Sequence, residues 1–149
     1  FDSTMLIPAN LYGPYDNFDL ETSHVVPALV RKFIEAKEEV VIWGTGKASR
    51  EFIYVEDVCK AILQCCEVKD LRGPYNLGTG VETTIKQLIE AISTATGFDG
   101  KVVWDSSRPD GQNRRYYDMS EFYKDIGEVP STSLLEGVKK TVDWYKSEY

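Results

Sequence analysis

The sequence has little with which to bind nucleic acid, cross a membrane or staple itself together. Its 149 residues carry 24 acidic against 17 basic side chains, a net charge of −7. It therefore lacks the basic footprint that bulk nucleic-acid binding requires. No apolar run approaches the roughly 20 residues that span a bilayer. No basic start leading into a long apolar stretch marks a secretory leader, and the chain opens on Phe1, Asp2 and Ser3. With no Met at position 1, we expect a portion cut from something longer. The cysteines, Cys59, Cys65 and Cys66, are odd in number and fall in one short stretch. Their spacing suits neither a disulfide framework nor a zinc site, so no metal is expected and a reducing, cytoplasmic setting is the simplest reading. Gly44-Thr45-Gly46 and Gly78-Thr79-Gly80 are isolated triplets, neither a six-residue dinucleotide fingerprint nor a P-loop, and are expected to make tight turns.

What is present is a globular balance, 42% hydrophobic and 28% charged, long enough for one domain with a modest core. Residues 3–9 read as a buried strand. Ser23 is positioned to cap a helix running to about Lys37, with Val26, Leu29, Val30 and Phe33 on one face and Pro27 tolerable only in its first turn. Strands are expected at 40–43, 51–55, 75–77 and 101–104. Helices are expected from Glu56 and Asp57 to about Glu67, from a Thr83 or Thr84 cap to near Gly97 with Ile85, Leu88, Ile89 and Ile92 on one face, and over 119–126 and 134–145. Strands alternating with helices indicate an α/β class, with room for about five strands in a sheet incomplete by itself.

His24 is the one histidine. It is either a surface or helix-capping residue or, at a helix start beside a polar loop with Asp16 and Asn17, a group that exchanges protons near neutral pH. Arg31, Lys32, Arg50, Arg108, Arg114 and Arg115 are individually ordinary surface charges. Together they suit convergence on a diphosphate, for which arginine is geometrically adapted. Trp43, just before a glycine turn, is either a core residue, the choice sequence alone favours, or an aromatic wall for a base or sugar. Cys65 shares a helical face with Val58, Ala61 and Ile62 and is expected to be packed and inert.

These segments resemble a family. Asn10-Leu11-Tyr12-Gly13-Pro14, Asp16-Asn17-Phe18 and Ser23-His24-Val25-Val26-Pro27-Ala28-Leu29 are similar to the GDP-L-fucose synthases, extended short-chain dehydrogenases of the NAD-dependent epimerase/dehydratase family. Trp43-Gly44-Thr45-Gly46, Arg50-Glu51-Phe52, Val55-Glu56-Asp57, Asn76-Leu77-Gly78-Thr79-Gly80 and Pro109-Asp110-Gly111 match the wider nucleotide-sugar epimerase pattern. The resemblance implies an NADP-binding Rossmann domain, largely absent here, and a small α/β C-terminal domain that holds a GDP-sugar. Residues 1–149 would be a single substrate-binding region in which 1–11 and 73–80 supply the last Rossmann strands. By motif position His24 is the proton donor of epimerisation and borders the cofactor. Pro8, Ala9, Asn10 and Leu11 line the nicotinamide side of the NADP(H) site. Lys32, Trp43, Arg50 and Asp110 contact GDP-4-keto-6-deoxy-mannose or GDP-fucose, and Arg115 faces the diphosphate. The family's Ser-Tyr-Lys set and epimerase cysteine would precede Phe1 in a homodimeric parent, so this chain alone is expected to be inactive. Rival readings are a UDP-sugar 4-epimerase or nucleotide-sugar dehydratase, and a non-catalytic nucleotide-sugar-binding module.

Overall fold

Phe52, Ile53 and Tyr54 are all buried, and successive side chains of a strand point to opposite faces. Phe52 and Tyr54 accordingly join one hydrophobic cluster and Ile53 joins another, so this short strand is a wall shared by two cores. The computed structural model describes residues 3–149. In chain order its elements are β1 (Leu6–Pro8), β2 (Asn10–Tyr12), α1 (Val25–Glu35), β3 (Glu39–Trp43), β4 (Ser49–Arg50), β5 (Phe52–Tyr54), α2 (Val55–Glu67), β6 (Tyr75–Leu77), β7 (Thr83–Thr84), α3 (Ile85–Thr96), β8 (Lys101–Asp105), α4 (Ser120–Asp125) and α5 (Leu134–Glu148).

The larger core gathers α1, α3 and α5 against β3, β2 and β5. Val30, Leu88, Ile92, Val138 and Val142 are wholly buried in it, each worth about 1.5–3 kcal/mol relative to exposure. The stripes expected on α1 and α3 are the faces that pack. The smaller core lies between α2, α4 and the β1–β6 pair. β1 pairs with β6, β2 with β5 and β3 with β8, all parallel, while β4 and β7 pair antiparallel. This is the expected α/β class, in more and shorter strands than the alternation suggested.

Three local differences have physical causes. The run 51–55 does not form one strand: Glu51 is buried and bonds to other segments, and Val55 already begins α2, whose first turn carries Glu56 and Asp57. Asn10–Tyr12 forms a strand separate from Leu6–Pro8, because the chain changes partner at Ala9. The Ala9 N–H donates to Leu77 O at 2.8 Å, and the Asn10 N–H donates to Glu51 O at 3.3 Å. His24, not Ser23, is the N-cap of α1, with no side-chain cap bond. Pro27 occupies the third helical position and has no N–H to offer a cap. By contrast Thr84 caps α3 through a reciprocal capping box with Gln87, and Gly97 closes that helix at φ 73°.

Candidate functional site

The change of partner at Ala9 parts two small sheets, and α/β folds use such partings for ligands. The crevice there encloses about 340 Å3. It is lined by Pro8, Ala9, Asn10 and Leu11 from β1–β2, His24, Val25 and Val26 from the start of α1, and Arg115 and Tyr117. Residues expected from three distant parts of the sequence therefore meet in one place. His24 is exposed and its ring caps nothing. The Asn10 side-chain amide donates to Glu51 O at 2.7 Å, which fixes β2 at the crevice floor. Arg115 is exposed and stands over the buried Tyr117 ring at 5.6 Å. Its own N–H donates to Ser49 O at 3.2 Å.

Two larger hollows, of about 620 Å3 each, lie elsewhere, one beside Ile62, Cys65 and Cys66 and one beside Asp19, Arg31 and Tyr145. The smaller crevice is the better candidate because His24 and Arg115 converge on it without ion pairs among the described residues. In the second hollow Arg31 is already engaged by Glu35 at 2.8 Å and by Phe18 O. The Asp19 carboxylate accepts from Glu21 and Thr22, and these bonds hold it below the usual carboxylate range. In the first hollow the Cys65 thiol is pushed up by burial. Val58 and Ala61 pack with Cys65 as expected, whereas Ile62 is exposed.

The remaining predicted residues form a second locus. Trp43 is 62% exposed, so it is not core. β3 alternates, with Val40 and Ile42 inward and Val41 and Trp43 outward. Lys32 Nζ stands 5.7 Å and Arg108 Cζ 5.2 Å from the Trp43 ring centroid, which makes an aromatic face flanked by two cations. Asp110 reaches this locus through Thr45, accepting from the Thr45 N–H at 2.5 Å and hydroxyl at 2.7 Å. Those bonds hold the Asp110 carboxyl below its ordinary value. Gly44 is indispensable to this contact, since a Cβ there would strike the Asp110 carboxylate and φ is 85°. Arg50 lies between the two loci. Its Nη1 donates to Ser49 O at 2.6 Å, and its other terminal nitrogen comes within 3.9 Å of where a Gly111 Cβ would sit.

Not every arginine expected to converge does so. Arg114 makes a bidentate pair with Glu82, with Nη2 at 2.8 Å. The Arg114 guanidinium, with the Ser49 hydroxyl, pulls the Glu82 carboxyl down to about 2. Arg31 and Arg114 are thus spent on structure, Arg108 keeps a longer contact to Asp105 at 3.8 Å, and Lys32, Arg50 and Arg115 pair with no carboxylate among the described residues. Tyr117 and Glu51 were not anticipated; both act through contacts between residues far apart in sequence.

The chain is 46% identical over 149 residues to a probable GDP-L-fucose synthase 1 of Oryza sativa subsp. japonica, covering 97% of this chain and 45% of that protein. A GDP-L-fucose synthetase from Naegleria fowleri, solved bound to NADP, superposes with a TM-score of 0.92 at 32% identity, covering 98% of this chain and 47% of that one. A UDP-glucose 4-epimerase from Thermotoga maritima, solved with UDP-glucose, superposes with a TM-score of 0.84 at 33% identity, covering 97% and 46%. The chain spans about half the length of the curated relatives it matches. The model of the NAD dependent epimerase/dehydratase family matches residues 1–78, more than half of the sequence, and the chain belongs to that family.

Proposed function

We propose that this chain is the GDP-sugar-binding part of a GDP-L-fucose synthase, which converts GDP-4-keto-6-deoxy-D-mannose to GDP-L-fucose by 3,5-epimerisation and NADPH-dependent reduction at C4. The observation that carries the reading is the crevice that brings His24, the backbone of residues 8–11 and Arg115 within reach of one ligand. His24 returns a proton to a carbon beside the ketone after a base elsewhere in the parent has removed one from it. Arg115 and Arg50 face the diphosphate and sugar. Trp43 and Lys32 take the nucleotide end, and Asp110 contacts it through the lone pairs that Thr45 leaves free.

The crevice is at the small end of the range for ligand pockets. It suits a nicotinamide ring and its sugar rather than a whole dinucleotide, so the rest of NADP(H) is held by the remainder of the parent. NADPH, when bound, supplies the hydride. β1 and β6 are the strands we assign to the parent's cofactor sheet. Met5, Ile7, Ile62 and Leu63 are exposed on β1 or near it and on α2, apolar surface that a sheet continued past β1 would cover. The free cysteines fit a reducing compartment. Among the described residues no helix is long and apolar enough to cross a membrane.

A UDP-sugar 4-epimerase is the reading to set against this one, because the Thermotoga maritima enzyme is as close in sequence as the Naegleria fowleri synthetase. Thermal melts with GDP, UDP and dTDP separate them. GDP alone is expected to raise the midpoint, by the equivalent of about 2.7 kcal/mol at a hundredfold excess over Kd. Equal stabilisation by UDP or dTDP overturns the GDP assignment.

A further inference from the structure

Glu51 is wholly buried, and among the described residues it forms no ion pair. Its carboxylate is met by main chain instead. Oε1 accepts from the Gly80 N–H at 2.7 Å and Oε2 from the Tyr117 N–H at 2.8 Å. A Cβ on Gly78 would lie 3.0 and 3.1 Å from the two oxygens, so the absence of a side chain there lets the carboxylate approach. The Glu51 carbonyl accepts from both the backbone and the side chain of Asn10. One residue thus ties together β2, the loop after β6 and the segment carrying Arg115 and Tyr117. That segment has a second anchor at Ser49, whose carbonyl takes the Arg115 N–H. Arg115 is itself the residue held at Ser49 and lies beside the Tyr117 anchor, and Asn10, Arg115 and Tyr117 all line the His24 crevice.

We infer that Glu51 is a positioning residue for the site: its carboxylate, spent on two backbone N–H groups from separate segments, sets where Arg115 and Asn10 stand relative to His24. The inference rests on reading the crevice as the place where the GDP-sugar meets the nicotinamide. A carboxylate suits the task because it is all acceptor, whereas a glutamine amide would turn a donor toward one of the two N–H groups. The wholly different carboxylate of Asp57 provides the control. Asp57 is equally buried and accepts from the Thr132 N–H at 2.6 Å, but it lies outside the crevice lining.

The test compares wild type, Glu51→Gln, Gly78→Ala and Asp57→Asn in the intact chain, with GDP as the probe and amide hydrogen exchange as a second readout. Glu51→Gln is expected to weaken GDP binding by about tenfold, the loss of one charge-assisted contact to the diphosphate, and to speed exchange at Gly80 and Tyr117. Gly78→Ala, which displaces the carboxylate without removing it, moves both readouts the same way by a smaller factor and serves if Glu51→Gln does not fold. Asp57→Asn loses stability but leaves GDP affinity unchanged. Unchanged GDP affinity in both Glu51→Gln and Gly78→Ala overturns the inference, as does an equal loss of affinity in Asp57→Asn, which would mark a general effect of destabilisation. If wild type binds no GDP, the proposed function fails. The inference then stands only if exchange quickens across 113–117 in Glu51→Gln and not in Asp57→Asn.

Discussion

Residues lining the crevice around His24 are held by backbone N–H bonds to other segments; those of the locus around Trp43 meet through their side chains. Ala9, Asn10, Arg115 and Tyr117 are each fixed by a backbone N–H bond to another segment, so the crevice is set by the fold before any ligand arrives. Trp43 ends β3 opposite Asp105 of β8, and Lys32 and Arg108 meet its ring on a solvent-facing edge, Arg108 also contacting Asp105 at 3.8 Å, with the Asp110–Thr45 latch beside them. Preformed geometry suits chemistry, which tolerates little misplacement. A ring flanked by mobile cations suits holding a flat or charged ligand, where stacking is forgiving. The division predicts that loss of His24 changes rate and loss of Trp43 changes affinity.

The largest effect tests the first half of that division. His24→Gln in the complete protein is expected to slow epimerisation by about 10²–10⁴-fold, the span of a lost acid–base group, with GDP affinity unchanged. Solvent-deuterium incorporation into the sugar beside the ketone measures it. Turnover near that of wild type removes His24 from the chemistry.

Trp43→Ala tests the second half. Loss of the exposed ring is expected to weaken GDP binding by about tenfold, in the range for stacking with a cation contribution. Stability should move by no more than about 0.5 kcal/mol, because the ring is mostly solvated. A large fall in melting temperature with unchanged affinity would return Trp43 to a structural role.

Thr45→Val removes one of the two donors to Asp110 and keeps the backbone one. A stability loss of about 0.5–1.5 kcal/mol is expected, together with a drop in GDP affinity smaller than that of Trp43→Ala. Denaturant melts and calorimetric titration of the two variants side by side check the order.

What could be read from the residues divides along the same line as the loci. The apolar stripes of α1 and α3 were legible because helical spacing alone decides which side faces the core, and Val26, Leu29, Val30, Phe33, Leu88 and Ile92 are all buried. The Thr84 cap and the Gly97 stop were legible because capping is local. The residues of the crevice came from the resemblance rather than from spacing, since nothing local brings Arg115 to His24. The break at Glu51 and the capture of Arg114 by Glu82 were not legible. Their partners lie 66 and 32 residues away, and no pattern in the neighbouring residues marks them. Trp43 was misread as core because a tryptophan next to a glycine turn is ambiguous, although the alternation Val40, Val41, Ile42, Trp43 did place it opposite the buried pair.

The smallest expected effect is pH dependence, and it bears on the tether between the two loci. Glu82 holds Arg114, next to Arg115 of the crevice, and its folded carboxyl titrates at about 2 against an ordinary 4.5, with Arg114 as the main cause and the Ser49 hydroxyl second. A carboxyl depressed by folding stabilises fully above its unfolded value and loses that contribution as pH falls through its folded one. The tether therefore holds above about pH 4.5 and is given up between there and about pH 2. Arg114 and Glu82 are partly solvated, so screening keeps the effect modest and salt-dependent. Glu82→Gln should be less stable than wild type at neutral pH, with the gap narrowing as the pH is lowered to 3 and shrinking further in added salt. Denaturant melts across that range measure the gap. A gap that stays constant with pH would mean that shape, and not the Glu82–Arg114 charge pair, holds this strap of chain against β4. Acid should loosen the Trp43 side too, because the bonds from Thr45 and Ser107 hold Asp110 and Asp105 below their ordinary values. Arg115 keeps its main-chain bond to Ser49 O throughout, so GDP affinity should fall less steeply with acid when Trp43 is already alanine than in wild type.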